Sequence, residues 1–234
     1  MMDIKLRNFG VSNLWIQIME KSFKDCTLIY LEKTFGLRSA SDCLELDSWL
    51  QSTIELSTSE KDETDLLRSL LKHNALHWNE QELSLHFIGP LFSLARFISH
   101  ELRYNIFAER LIEGVVESLN SEQIRLYGKP DGIVASGYRE PETPFFAFQE
   151  YKRELDPDGQ PAGQVLAAML VGQVLSKSDK PVYGCYVIGQ NWQFMTLVGK
   201  NYCISPAYSA LTEEIVFIFQ KLKALKQIVV ERTI

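Results

Sequence analysis

After Trp78 the sequence alternates between helical and strand-like patterns in an order that few folds can accommodate. A helical stripe starts after Asn79, a good N-cap residue, and Pro90 should kink it. Three strand-like runs follow, then a buried helix rich in Ala, Leu and Met, two more strand-like runs and an amphipathic helix. The runs are residues 105–117, 124–136, 144–154, 181–189 and 191–199, and the two helices are 164–175 and 208–229. This order predicts an α/β (α+β) fold in which helices flank a mixed central sheet. Polar, turn-rich connections between the first three runs predict an antiparallel meander.

The first part of the chain has a different pattern. Residues 1–75 are predicted to be mostly helical, and the polar stretch STSEKDET at 57–64 separates two helical elements. We therefore expect a helical N-terminal extension over 1–75 and one larger domain over 76–234. The extension carries no motif with a chemical role, so it is either a helical cap or an interaction module.

Composition restricts the classes of function. The 24 Lys and Arg residues against 30 Asp and Glu give a net charge of -6, which disfavours a protein that binds nucleic acid mainly by neutralising phosphates. Any nucleic-acid role must therefore depend on a local site. No apolar run approaches the roughly 18–20 residues that span a bilayer, so we expect no membrane association. The start, MMDIKLRNFG, has no signal-peptide pattern, and we expect a cytoplasmic protein.

Several residue groups have an ordinary structural interpretation. The four cysteines are far apart and contain no CxxC, so we expect separate, buried, reduced side chains. The cysteines are Cys26, Cys43, Cys185 and Cys203. A solvated helix face is expected for three lysines near the C-terminus, Lys221, Lys223 and Lys226, with a phosphate-contact patch as the alternative. A ligand or partner site could be formed by three aromatic residues, Trp192, Phe194 and Tyr202, although such residues are more often core.

Common catalytic and nucleotide-binding motifs are absent from the sequence. It contains no GxSxG, GxGxxG or GxxxxGK[ST], which disfavours acyl transfer and nucleotide hydrolysis. His73 and His77 are four residues apart, but no third ligand is evident near them, and a solvated helix face is the simpler interpretation.

One pair of segments does suggest chemistry. Glu150 and Lys152 in FQEYKRE would share one face of a strand, and Asp131 in GKPDG could lie beside Glu150 if the two strands are antiparallel neighbours. Two close carboxylates repel, and a hard cation such as Mg²⁺ relieves that repulsion. Lys152 could then orient or deprotonate a water that attacks a phosphodiester. Taken singly, however, Glu-x-Lys is also an exposed ion pair worth about 0–1 kcal/mol, and Pro-Asp-Gly is also an ordinary turn.

The arrangement resembles the PD-(D/E)xK nuclease superfamily, whose fold is restriction-endonuclease-like. Pro130-Asp131 matches its first motif and Glu150-Tyr151-Lys152 its second, and the predicted order of elements matches the superfamily core. The resemblance covers about residues 76–200. The segments WNEQELSLHFIGPLF, FQEYKRE and NWQFMTLVGKNYCIS are similar to an uncharacterised bacterial family within the superfamily.

The resemblance implies a role for each matching residue. Asp131 and Glu150 would be metal ligands, with the Tyr151 carbonyl as a third, and Lys152 would be the catalytic lysine. Glu80, at the start of the first core helix, would be an additional acidic ligand, and Gln164 would correspond to a glutamine found on the following helix in many members. The implied function is a nuclease that uses Mg²⁺ or Mn²⁺ and acts on DNA rather than RNA. The alternative is a catalytically silent member that works as a binding or assembly module with a protein partner or as a homo-oligomer.

Overall fold

The computed structural model describes residues 18–152, 160–178 and 180–233, and of residues 147–152 and 233 it describes the backbone alone. Helices and strands are interleaved along these ranges. The helices are α1 Leu28–Phe35, α2 Leu44–Gln51, α3 Thr58–Asn74, α4 Glu80–Leu83, α5 Gly89–Ala95, α6 Pro161–Ser176 and α7 Glu214–Thr233. The strands are β1 Met19–Ser22, β2 Arg38–Ser39, β3 Tyr104–Ala108, β4 Ile112–Glu117, β5 Gln123–Gly128, β6 Gly132–Ser136, β7 Pro144–Lys152, β8 Val182–Ile188, β9 Asn191–Val198, β10 Asn201–Ile204 and β11 Tyr208–Ser209.

Of the two sheets formed by the described residues, the larger has the mixed character that the sequence predicts. Its described strands run in the order β2-β10-β9-β8-β7-β6-β3, and β11 pairs with β9. The pairs β7–β8 and β2–β10 are parallel and the others are antiparallel. Since parallel neighbours need a crossover connection, α6 lies between β7 and β8 in the chain. The fold is therefore a mixed α/β arrangement with helices on a multi-stranded sheet.

A smaller sheet, in which β5 lies between β1 and β4, was not predicted. The runs 105–117 and 124–136 each contain two strands, so the expected three-stranded meander is wrong. Glu109 ends β3 with a φ of 50°, and Pro130, which lacks an N–H donor, separates β5 from β6. The hairpin of β4 and β5 belongs to the smaller sheet, where β5 pairs with β1 and both strands pack on α6, while β3, β6 and β7 remain neighbours in the larger sheet.

Helix α6 lies between the two sheets. It packs on β7 and β8 of the larger sheet and on β4 and β5 of the smaller one. Residues 163–172 are all buried, because a helix covered on both sides must be apolar all round. The prediction of a helix over 164–175 is confirmed, and its burial is confirmed for residues 164–172, whereas Val174 is 37% exposed.

The opposite face of the larger sheet carries a second core beneath α2, α3, α5 and α7. Neighbouring residues of β6 alternate between the two cores: Ile133 and Ala135 face α6, and Val134 faces the other helices. Trp192 and Phe194 are fully buried in this second core, and Tyr202 is 2% exposed. The hypothesis of an accessible aromatic site at these three residues is therefore wrong.

The helix predicted from Asn79 starts where expected and then changes geometry. Asn79 and Glu82 form a capping box, in which the Asn79 side chain accepts from the Glu82 N–H at 2.9 Å and the Glu82 carboxylate from the Asn79 N–H at 2.7 Å. After α4 the chain forms a π-helical segment, Ser84–Ile88, and then α5. Pro90 lies directly after this wider turn, which accommodates a ring that would clash in a regular helix.

The N-terminal part joins both sheets. β1 extends the smaller sheet beside β5, although Met19 was expected in a helix, and β2 extends the larger sheet beside β10. The remaining elements of residues 28–74 are the predicted helices α1, α2 and α3. The helical prediction for residues 1–17 lies outside the described residues, and the boundary at residue 75 stays a prediction.

Two predictions about side chains are wrong. Cys43 and Cys203 form a disulfide with a Cα–Cα distance of 6.3 Å, whereas Cys26 and Cys185 are buried free thiols as expected. Lys221 is 2% exposed, and its Nζ donates to the carbonyl of Ser52, so it is not on a solvated face. None of the helices in the described ranges combines the length and the apolar character that crossing a membrane requires.

Candidate active site

Asp131 lies in the short connection between β5 and β6, at the mouth of a cleft. Pro130 before it is buried, Asp131 is half-buried, and Gly132 begins β6. The Asp131 carbonyl accepts from the Glu109 N–H at 3.4 Å, a weak contact that continues the pairing of β3 with β6. The turn therefore fixes Asp131 beside the end of β3.

A cavity of about 690 Å³, here called the acidic cleft, opens in front of Asp131. One wall is the α4, π-helical and α5 segment, and the other is the end of β3. Three carboxylate residues line it, together with serines and a proline: Glu80, Ser84, Pro90, Ser93, Glu109 and Asp131. The lining of this cleft is therefore anionic.

A second cavity of about 510 Å³, here called the aromatic pocket, continues from the acidic cleft. Asp131, Ser84 and Ser93 line both cavities. The remaining wall is apolar apart from one guanidinium, and its main residues are Phe92, Arg96, Phe97, Ile98 and Phe107. Asp131 thus lies where a carboxylate-lined space meets an aromatic one.

The backbone of the second predicted motif runs close to Asp131. Strand β7 is antiparallel to β6 with Gly132 opposite Phe148, so the next residue pair of that register is 131 and 149. On its other side β7 has a register shift against β8 between Phe148 and Tyr151, where one additional residue is accommodated as in a β-bulge. The side chains of Glu150, Tyr151 and Lys152 lie outside the described residues. Their backbone is at the same end of the β6–β7 pair as Asp131.

Of the other two predicted site residues, Glu80 lines the acidic cleft and Gln164 does not. Glu80 is the first residue of α4, is exposed, and shares the acidic cleft with Asp131. Gln164 is in the first turn of α6 and 2% exposed, and its Oε1 has no hydrogen-bond partner among the described residues. It is not among the described residues that line either cavity. In those parts of the chain whose side chains are described, no three His, Cys, Asp or Glu residues cluster closely enough to hold a metal.

The sequence patterns missed two charged residues of this site, Glu109 and Arg96. Both have positive φ, 50° and 59°, which is uncommon for residues with a side chain and is concentrated at functional sites in many proteins. Glu109 was assigned to the interior of a strand, and Arg96 to the interior of a helix that in fact ends at Ala95. The adjacent charges Glu109 and Arg110, which interrupt the strand pattern, were the signal that could have located the first.

Comparison with models of known protein families gives no match, and comparison with curated proteins gives none either.

Proposed function

We propose that this protein is a metal-dependent nuclease of the PD-(D/E)xK type, with a restriction-endonuclease-like core, that hydrolyses phosphodiester bonds of DNA. The observation that carries the proposal is the position of Asp131, which faces a carboxylate-lined cleft at the end of the β6–β7 pair where the Glu150 backbone also lies. In this proposal Asp131 and Glu150 supply carboxylate ligands, the Tyr151 carbonyl supplies a third oxygen, and Glu80 supplies an outer acidic group.

The donor atoms fit a hard divalent cation. Mg²⁺ and Mn²⁺ prefer oxygen ligands, and the described residues of the acidic cleft contribute carboxylate and hydroxyl oxygens. A cation bound at Asp131 would stabilise the negative charge that develops on the phosphate oxygens. A phosphodiester could hardly approach Glu80, Glu109 and Asp131 without such compensation, because all four groups are anionic.

The chain's own residues would position the reacting water. Lys152 orients the water or takes a proton from it, and Gln164, which is buried and is not among the described residues that line either cavity, would act as a positioning residue and not on the water itself. The water oxygen forms a bond to phosphorus while the bond to the leaving oxygen breaks. One proton of the water finally resides on the leaving oxygen, which departs as an alcohol, so one water is consumed for each bond cut.

Cleavage of single-stranded and duplex DNA in the presence of Mg²⁺ or Mn²⁺ tests the proposal. We expect Lys152→Ala to reduce the rate by roughly a hundredfold or more, since general acid–base groups contribute about that much. Lys129→Ala is the matched control, because Lys129 is exposed and lies two residues from Asp131 without an assigned role. Equal rates for the wild type and Lys152→Ala would contradict the role of the lysine.

Metal binding is tested separately from cleavage. A metal that binds only the native state raises its stability by about 2.7 kcal/mol at a concentration one hundred times its Kd. We expect Mn²⁺ to raise the melting temperature of the wild type and not that of Asp131→Asn. If Mn²⁺ has no effect on the wild type, and no DNA is cut, the alternative of a catalytically silent binding module is favoured instead.

A further inference from the structure

A further cavity, here called the basic pocket, lies at the end of β6 that is remote from Asp131. It has a volume of about 370 Å³ and is lined by residues from the end of β6, the start of β7 and β8, and the C-terminal ends of α6 and α7. Ser136 ends β6, whereas Asp131 precedes its first residue, so the two are about 16 Å apart at the rise of an extended strand. The basic pocket is therefore separate from the acidic cleft.

Two cations line the basic pocket, and no carboxylate is among the described residues of its lining. The cations are Arg232, in the last turn of α7, and Lys180, in the connection from α6 to β8. Neither makes an ion pair with a described residue. The nearby carboxylate residues Glu45 and Glu231 line a different cavity. The described lining is therefore cationic, although the chain as a whole has a net charge of -6.

The surroundings of Arg232 favour a bound anion. Its side chain is half-buried, and its guanidinium carbon lies 5.1 Å from the centroid of the Tyr183 ring. Burial is the largest cause that lowers the pKa of Arg232, because the charged form loses hydration there. A guanidinium that stacks on a ring keeps N–H groups along its edge, and their geometry matches phosphate oxygens. An anion at that edge would compensate for the lost hydration.

Two serine hydroxyls add hydrogen-bond donors to the same pocket. The Ser136 Oγ accepts from the Thr143 N–H, and the Ser178 Oγ accepts from the Lys180 N–H, each at 3.1 Å. A hydroxyl has one proton to donate, and neither serine donates its proton to a described residue. Each oxygen is thus held by a backbone N–H, and its proton can be donated to a ligand in the pocket.

Most of the remaining lining is apolar, which indicates a ligand larger than a bare ion. This part of the wall consists of Pro144, Phe145, Pro181 and Val182. A volume of about 370 Å³ is within the range of pockets that hold small organic molecules. The pocket therefore combines an anion-binding end with an apolar wall.

The macrodipole of α7 does not account for this arrangement. Its negative end favours a cation such as Arg232 in the last turn. That effect requires neither Lys180 nor the protons of two serines from other parts of the chain. The convergence of four donors on one cavity is the feature that a ligand explains.

We infer that the basic pocket binds the phosphate group of a small organic phosphomonoester. The phosphate oxygens accept from Arg232, Lys180, Ser136 and Ser178, and the organic part lies against the apolar wall. This second site is independent of Asp131 and of the cleavage proposed above.

Calorimetric titration with adenosine monophosphate, inorganic phosphate and adenosine tests the inference, because these probes separate the phosphate from the organic part. Ionic strength is held constant, and EDTA is present so that no divalent cation can join a phosphate to the acidic cleft. We expect adenosine monophosphate to bind more tightly than inorganic phosphate. Adenosine should bind at least roughly tenfold more weakly than its monophosphate, since a hydrogen bond to a charged group contributes about that factor.

Four variants test the position of the ligand. Arg232→Gln should weaken binding of adenosine monophosphate by roughly ten- to a hundredfold. Lys180→Gln, at an exposed cation, should weaken it by roughly two- to fivefold, and Ser178→Ala by roughly two- to tenfold. Lys177→Gln is the matched control, because Lys177 is an exposed cation near Lys180 that is absent from the described lining of every cavity above. Its affinity should equal that of the wild type.

The outcomes decide the inference even if Arg232→Gln fails to fold, because Lys180 is exposed and its replacement leaves the core intact. Absence of binding of both adenosine monophosphate and phosphate to the wild type would overturn the pocket. Equal affinities of Lys180→Gln and Lys177→Gln would also overturn it, since the effect of the charge would then be non-specific.

An oligothymidylate with a 5′-phosphate, compared with its 5′-hydroxyl form, distinguishes two sources of the phosphate. Tighter binding of the phosphorylated form would identify the end of a nucleic-acid strand as a source. Equal binding of the two forms, together with binding of adenosine monophosphate, would restrict the site to free phosphomonoesters. None of these measurements depends on cleavage, so failure of the nuclease proposal would leave the basic pocket unaffected.

Discussion

The indole Nε1 of Trp49 on α2 donates a hydrogen bond of 2.8 Å to the backbone carbonyl of Lys221 on α7, across 172 residues of sequence. The same indole makes edge-to-face contacts with Tyr183 and Phe194, with ring centroids 5.1 and 5.0 Å apart. Trp49 is 1% exposed, so α2 is fastened to both α7 and the larger sheet through one side chain. Helix α2 is therefore part of the core on that face of the larger sheet.

Trp49→Phe should lower the free energy of unfolding by about 1–3 kcal/mol, because it removes a buried hydrogen-bond donor and leaves space. Trp49→Ala should lower it by about 3–5 kcal/mol. Urea denaturation measures both. Trp78→Phe, at a half-buried tryptophan that packs on His86, is the matched control and should change the value less. Equal decreases in the free energy of unfolding for Trp49→Phe and Trp78→Phe would show that the contact between α2 and α7 contributes no more to stability than the contact of Trp78 with His86.

The Cys43–Cys203 disulfide should make stability depend on reductant. It joins the start of α2 to β10 and closes a loop with a sequence separation of 160 residues. Constraining so long a loop in the unfolded chain is expected to stabilise the protein by about 2–5 kcal/mol. Urea midpoints of the wild type should therefore fall on reduction.

The control for this prediction is a double variant, Cys43→Ser with Cys203→Ser, whose midpoint should not respond to reductant. Alkylation of the denatured, unreduced wild type should label the two buried free thiols, Cys26 and Cys185, and leave the other pair unlabelled. Labelling of all four cysteines would contradict the disulfide.

Features with a local cause were predictable from the sequence. The capping box at Asn79 depends on residues three positions apart, and the burial of α6 follows from its uniformly apolar composition. Features that depend on distant parts of the chain were not. The departure of β4 and β5 to a second sheet is set by packing against α6 and β1, and no local pattern encodes a pairing between Cys43 and Cys203.

The candidate site shows the same division. The Pro-Asp-Gly sequence indicates Asp131, and Asn79 indicates the start of the helix whose first residue, Glu80, lines the same cleft. Arg96 was not predicted because a positive φ in a charged residue is imposed by tertiary structure and has no residue signature. Glu109 was not predicted either, although the adjacent charges Glu109 and Arg110 interrupt the strand pattern there. The aromatic pocket was not predicted from the sequence, because its phenylalanines come from α5, β3 and the segment between them. Each has the spacing of an ordinary core residue.

Glu60 should contribute a pH-dependent part of the stability. Its carboxylate accepts from the Ser57 N–H at 2.8 Å, which caps α3, and pairs with Lys223 Nζ of α7 at 2.6 Å. The hydrogen bond from Lys223 is the largest cause that lowers the pKa of Glu60. A lowered folded-state pKa means that the stabilisation is complete above the unfolded-state pKa of about 4.3 and is lost as pH falls through the folded value.

Glu60→Gln removes the charge and keeps an acceptor for the cap. We expect it to lower the free energy of unfolding by about 1 kcal/mol at neutral pH and to flatten the loss of stability on acidification. Glu63→Gln, at an exposed position of the same helix, should leave the acid dependence unchanged. Parallel stability curves for the wild type and Glu60→Gln between pH 3 and 7, roughly the range in which carboxylates titrate, would refute the coupling.

Two glycines of α6 should respond in opposite directions to alanine, because their surroundings differ. A Cβ at Gly163 would fall on the backbone carbonyl oxygen of Cys26, which cannot rotate away as a side chain could. A Cβ at Gly172 would meet Pro144 and Val182 side-chain atoms at 3.5 Å, an ordinary contact distance. Gly163→Ala should therefore destabilise by about 1–3 kcal/mol through overpacking. Gly172→Ala should stabilise by up to about 1 kcal/mol, since alanine loses less conformational entropy in a helix. Thermal denaturation of the two variants under one buffer condition compares them directly, and a loss of stability in Gly172→Ala as large as that in Gly163→Ala would mean that α6 is packed equally tightly along its length.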